Sequence, residues 1–399
     1  MVAYSPSTGR QMLGLLIAAA VVATPWGPAR AGPVDLKQTS LVSDGADDNA
    51  LVTDPLLKNP WGLAQSASGV FWVSNQRTGT STLYDANGTP FPPANPLRVN
   101  IPAAKQAPAG PTGVIFNGSQ DFRITKNGNT APASFVFAGL DGQLSGWAQS
   151  VDATNAVPAR NDFDRAIFTG LTNATSSKGN TLYVANGLLG KVDTYDADFA
   201  PVTLGGAFDD PDVPERLQPF NVSALGERVY VTYAIPGPEA REEPEGSGAV
   251  SVFDAEGHLL KHLIEGGVVA SPWGLALAPD SWGDFAGALL VGNFNNAGRI
   301  NAFDPETGEH LGRVKLANGE DAGDHYLWSI LPGNGQMGSS SDTLYFTAGL
   351  NDEQNGVFGK IELGGGGGGQ VIPLPNMLLV SPFVFAIAAA ARRRFLPRE

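Results

Sequence analysis

Three asparagines close the same kind of run in this chain. Asn75 ends Phe71-Trp72-Val73-Ser74-Asn75, Asn186 ends Leu182-Tyr183-Val184-Ala185-Asn186, and Asn293 ends Leu289-Leu290-Val291-Gly292-Asn293. A ring of neutral side-chain carbonyls suits an oxygen-liking cation such as Ca²⁺, or the hydroxyls of a sugar. Asp352 and Glu353 follow the equivalent run Leu344-Tyr345-Phe346-Thr347 and would add negative charge to a metal site. Trp61, Trp273 and Trp328 head three repeated phrases and join the Asn residues as ligand-binding candidates, as does Tyr233, which holds the Asn position in another copy. Each has a plain alternative: Asn at a strand end satisfies turn backbone, and Trp at a strand start packs a core.

Other chemistry is scarce. His258 and His262 have i, i+4 spacing, but on a predicted strand and without a following Glu, so the helical zinc-protease pattern is absent. His310 and His325 have no evident partner. There is no G-x-S-x-G elbow and no phosphate-binding P-loop, and the run Gly364–Gly369 has no strand-to-helix context. With no cysteine at all, disulfides, thiolate metal sites and Cys nucleophiles are excluded.

The elements that must position these residues show up as internal repetition. Pro60-Trp61-Gly62-Leu63-Ala64 returns as Pro272-Trp273-Gly274-Leu275-Ala276, with weaker copies beginning at Pro111, Phe168, Pro219 and Leu327. The third residues are Gly62, Gly113, Gly170, Asn221, Gly274 and Ser329, spaced 51, 57, 51, 53 and 55 apart. A β-branched or aromatic run follows each phrase, then a run ending in aromatic-Asp and a turn, as at Tyr84-Asp85, Tyr195-Asp196, Phe253-Asp254 and Phe303-Asp304. A weaker fourth run follows in several copies. Short strands in repeats of this length predict an all-β fold, a six-bladed β-propeller over residues 36–363. The sixth copy shows only three runs, while a spare strand, Gln38 to Ser43, precedes the first copy; that strand is expected to complete the last blade and leave no free edge. The acidic stretch Ala240 to Gly248 reads as a solvated insertion, and Asn117 to Pro132 as a second insertion able to cap a face.

Of 399 residues, 16% are charged, against about 25% in typical soluble domains. The net charge of −14 conceals basic ends: residues 32–375 carry 19 basic and 38 acidic residues, or −19. Such a body repels phosphate backbones, which argues against nucleic acid as a partner. Arg10, the apolar run Met12 to Ala23 and Ala29-Arg30-Ala31 read as a secretory signal peptide over 1–31, cleaved after Ala31. Residues 364–371 read as a Gly-rich linker and 372–399 as a C-terminal tail whose arginines would stay on the cytoplasmic side.

That tail, with Pro373 and Pro375 in Val371-Ile372-Pro373-Leu374-Pro375, the apolar stretch Met377 to Ala391 and then Arg392, Arg393 and Arg394, resembles the PEP-CTERM class of bacterial sorting signals. The box has the V-x-P-L-P form where the common one is V-P-E-P. The resemblance implies recognition by a membrane-embedded exosortase, a cell-surface location and an association with exopolysaccharide. The glycine run is also similar to tails cut by rhomboid-like proteases, and a plain membrane anchor is the simplest alternative. Between the ends, Leu41-Val42-Ser43-Asp44, Asp54-Pro55 to Gly62, Ser271-Pro272-Trp273-Gly274-Leu275-Ala276, Leu289 to Phe294 and Thr347-Ala348-Gly349 to Glu353 resemble, in the same order, a family of uncharacterised bacterial exported proteins. Two functions are then in view: a non-enzymatic binding module for an envelope glycan or protein, and a divalent-metal-dependent hydrolase resembling propeller lactonases.

Overall fold

The structure, a computed structural model, describes residues 32–104, 110–162 and 164–364. The signal segment with Ala31 and the tail residues Pro373, Pro375, Arg392, Arg393 and Arg394 lie outside the described residues. Among the described residues no helix is long and apolar enough to cross a membrane. Six radial sheets form an all-β propeller. Blades one to five begin with Pro60–Gln65, Pro111–Phe116, Phe168–Ser176, Gln218–Leu225 and Pro272–Leu277, and blade six with Leu327–Pro332. Each of these innermost strands touches the next, and the sixth touches the first. The ring is closed as the repeats predict. Leu36–Ser43 runs antiparallel to Val357–Leu363, from Leu36 opposite Leu363 to Ser43 opposite Val357, and supplies the outer strand of blade six.

The repeated phrase has a steric reason. At Gly62 a Cβ would lie 2.5 Å from the Thr112 carbonyl oxygen of the next blade, and at Gly274 it would lie 2.6 Å from that of Trp328. Backbones that close leave room for hydrogen only. In all six blades the pairing of first and second strands slips by a bulge just after the phrase begins, as between Pro272 and Gly274. A bulge re-aims the next side chain. Strands such as Phe71–Asn75 and Leu289–Asn293 are buried at every position, because both faces of a blade are covered by neighbours. Each interface between adjacent blades holds its own apolar cluster, and a seventh, aromatic cluster lies on the axis. The aromatic-Asp turns are closed by their own carboxylates: Asp85 Oδ1 accepts from the Asn87 and Thr89 amides, and Asp254 Oδ1 from those of Glu256 and His258.

Three local features add to or depart from the repeat pattern. Blade three has three strands rather than four; its outer place is taken by an irregular segment in which Phe208 packs 5.3 Å from Tyr183 and 5.2 Å from Phe253, filling the gap with an aromatic ring. The acidic insertion is not a freely solvated loop. It contains a 3₁₀ turn, Pro238–Glu242, Ala240 is buried, and Glu245 Oε1 bridges Arg299 and Arg313 at 2.8 and 2.5 Å. The second insertion folds as a hairpin, Arg123–Lys126 with Asn129–Pro132, seated by the fully buried Phe122.

Replacing Gly62 by valine forces the first and second blades apart and is expected to cost about 1–3 kcal/mol, read as a lower urea midpoint with an unchanged slope. An unchanged midpoint would mean that the two innermost strands are not in contact there.

Candidate functional site

The second residues of the six phrases are Trp61, Thr112, Thr169, Phe220, Trp273 and Trp328, and the ring closure turns them toward the axis. Trp61 stacks on Trp328 with centroids 3.7 Å apart, and Phe294 stacks on the same indole at 3.9 Å. Trp273 meets Trp328 and Trp61 edge-on at 5.8 and 6.5 Å. Phe220 completes the group, 5.7 Å from Phe294. These rings plug the channel.

Above the plug, at the end where the phrases begin, opens a cavity of about 270 Å³. Its floor is Trp61, Trp328, Phe294 and Phe220, and its walls include Ile167, Thr169 and Gly187 of blade three, Ile235–Pro238 before the acidic insertion, and Ala240 and Arg241 within it. Charge enters at one edge only, where Glu353 Oε2 pairs with Arg241 Nη2 at 2.8 Å. Asn59, in the left-handed region at φ 45°, links this pair to the floor: its Nδ2 donates to Glu353 Oε1 at 3.1 Å, and its Oδ1 accepts from Trp328 Nε1 at 2.8 Å. Arg77 donates to the Glu353 backbone carbonyl. Burial pushes the Glu353 carboxyl above its ordinary value, against the pull of Arg241. Beside it, burial and the Asp352 carboxylate push the Tyr326 phenol up to about 12, and its hydroxyl donates to Asp352 Oδ1 at 2.7 Å.

Of the residues singled out from sequence, the structure brings Trp61, Trp273 and Trp328 together on the axis and places Glu353 at their rim. Asp352 is exposed and bonded to Tyr326. The three asparagines do not meet. Asn75 Nδ2 donates to Thr82 Oγ1 at 2.9 Å, and Asn293 holds the 268–270 backbone through Val268 and Ala270. Asn186 Oδ1 accepts from the Leu188 and Leu189 amides, while its Nδ2 donates to Asp193. All three are fully buried, each within its own blade. Tyr233 is buried in the core between blades three and four, which raises its phenol. Among the described residues no three His, Cys, Asp or Glu side chains are grouped to hold a metal ion. Asn59, Arg241, Phe294 and Tyr326 were missed; Phe294 and Asn59 border repeated phrases and could have been found there, whereas Arg241 stands in an insertion with no counterpart.

The class is therefore a closed six-bladed propeller whose axial mouth is aromatic below and carries a single ion pair at its edge. No protein-family model matches the chain. It is similar to an uncharacterised protein of Acanthamoeba polyphaga mimivirus, 28% identical over 84% of this chain and 82% of that one. A second uncharacterised protein of the same virus is 27% identical over 84% of this chain and 88% of its own length. Among solved structures, a protein of unknown function from Bacteroides thetaiotaomicron shares the fold, with TM-score 0.52, 10% identity and coverage of 83% and 77%. A streptogramin B lyase structure gives TM-score 0.48 at 11% identity, covering 83% and 98%.

A carboxyl whose folded pKa lies above its unfolded one takes up its proton more readily in the folded state, so it withdraws stability as pH rises from about 4.5 through the raised value. Glu353→Gln removes that titration. Urea midpoints of wild type and variant, compared from pH 4 to pH 8, are expected to diverge in the variant's favour as pH rises; a constant difference would contradict the buried setting of Glu353.

Proposed function

We propose that this chain is an exported, non-enzymatic binding module, held at the cell envelope by its C-terminal tail, with the axial mouth as its ligand site. The observation that carries the reading is the lining of the mouth: aromatic and small residues with one ion pair whose charges already answer each other. Apolar pockets with a few placed polar groups are the usual form of a ligand site. The metal-dependent hydrolase needs several Asn, Asp or Glu oxygens converging on one point of the axis. Here Asn186 and Asn293 are committed to their own loops and Asn75 bonds within its blade, so the lining favours binding over metal chemistry.

The strand directions support the proposed orientation. Ala348 pairs with Leu327 and Val357 at the mouth end of blade six, so Leu363 and its partner Leu36 lie at the opposite end. A tail anchored in a membrane, or joined to an envelope component by an exosortase acting on the Pro373-Pro375 box, would leave the mouth facing outward. Export, the sorting enzyme and the association with exopolysaccharide belong to this proposal.

The test uses a hydrophobic naphthylamine dye whose fluorescence rises in apolar sites. Saturable binding at one site is expected, weakened at least tenfold by Leu140→Trp, which fills the wall, with the urea midpoint kept. Adding EDTA should change neither binding nor stability. A wild-type protein that binds no dye, or whose fold or binding depends on Ca²⁺, would overturn the reading.

A further inference from the structure

The apolar lining does not stop at the cavity. Ile167, on the wall, is 39% exposed, and immediately beyond Gly187 the tip residues Leu188 and Leu189 are 49% and 52% exposed. Among the described residues the other large apolar side chains this exposed, Leu51, Leu260, Leu277, Met337 and Leu363, belong to other parts of the ring. Single exposed leucines need no explanation, whereas a cluster contiguous with a pocket marks a contact surface.

The tip is held in place before any partner arrives. Asn186 Oδ1 takes the Leu188 and Leu189 amides at 3.1 and 3.3 Å, and the Asn186 carbonyl takes the Gly190 amide at 3.0 Å. Two leucines are thus presented on a fixed turn, with little ordering entropy left to lose on binding. Across the mouth, the segment that leads into the insertion adds the exposed Pro236 and Pro238 and the exposed carboxylate of Glu239, and the insertion adds that of Glu242. Neither glutamate has an ion pair among the described residues, and exposed Asp352 takes only the Tyr326 hydroxyl. Of the two cations on that side, Arg241 is paired with Glu353, and Arg77 is turned to the Glu353 backbone carbonyl. On the blade-three side, exposed Arg165 stands near Asp162.

We infer that the mouth receives one bulky apolar side chain of a partner protein segment, with basic residues flanking that side chain to meet Glu239, Glu242 and Asp352. The inference rests on the mouth being the ligand site, and it chooses protein over glycan. A sugar would bring several hydroxyls into a lining that offers few partners, at an uncompensated desolvation cost. A side chain inserted into a pocket and ringed by fixed apolar contacts is the form of an interface hot spot, and unpaired carboxylates on the rim favour a cationic partner.

The experiment measures displacement of the naphthylamine dye by amide-capped peptides with a central tryptophan, flanked either by paired lysines or by paired glutamates, and by cellobiose. The lysine peptide should displace the dye at concentrations at least tenfold lower than the glutamate peptide. Glu239→Lys with Glu242→Lys should remove that preference. Leu188→Ser with Leu189→Ser should weaken the peptide at least tenfold and leave the dye unaffected. Equal potency of the two peptides, or displacement by cellobiose alone, would overturn the partner assignment while leaving the site standing. Absence of dye binding to the wild type would instead remove the site itself.

Discussion

How closely six backbones can approach one axis decides almost everything else in this molecule. Hydrogen at the α-carbons of Gly62 and Gly274 lets the innermost strands of blades one and five lie within contact of the next blade's carbonyls. The bulge that follows each phrase start then swings the second residue toward the centre. Because four of those second residues are Trp or Phe, aromatic rings gather on the axis. The plug sets the floor of the mouth, and the mouth is the only reason to look for a ligand at this end.

Several buried polar side chains tie one blade to the next. Thr112 Oγ1 donates to the Phe168 carbonyl at 2.8 Å, and Asn221 Nδ2 to that of Trp273 at 2.8 Å, each reaching into the next blade. Thr347 Oγ1 reaches the Trp61 carbonyl at 2.7 Å and ties the last blade to the first. Hydrogen bonds of this kind contribute little each, but a buried carbonyl left unpaired would cost more than the bond gives. Glu353 is a buried carboxylate beside the axial floor, held by Arg241 and Asn59. Here it locks the insertion of blade four against the end of blade six, across the mouth.

Much of this was legible in the sequence because it repeats. Six phrases at one spacing fixed the blade count, and a copy short of one strand, paired with a spare strand ahead of the first copy, foretold the closure. The same close approach recurs at Gly62, Gly113, Gly170 and Gly274, so it leaves a periodic mark. The asparagines recur as well, but recurrence alone does not distinguish an amide that faces a ligand from one that holds a turn; Asn186 and Asn293 hold turns. What the sequence concealed lies where the repeat breaks. Arg241 meets Glu353 across more than one hundred residues of chain, from an insertion whose acidity suggests solvent. Phe208 replaces a strand with a ring. Contacts of that kind depend on a tertiary neighbour, and no local pattern encodes them.

Closure by the two ends of the propeller is the claim on which both the mouth and its outward orientation rest, and hydrogen exchange with mass spectrometry tests it directly. Amides of Leu36–Ser43 and Val357–Leu363 should exchange together, at the slow rate of the innermost strands, because freeing either one opens the ring. Rapid exchange in Leu36–Ser43 while the six innermost strands stay protected would contradict the account.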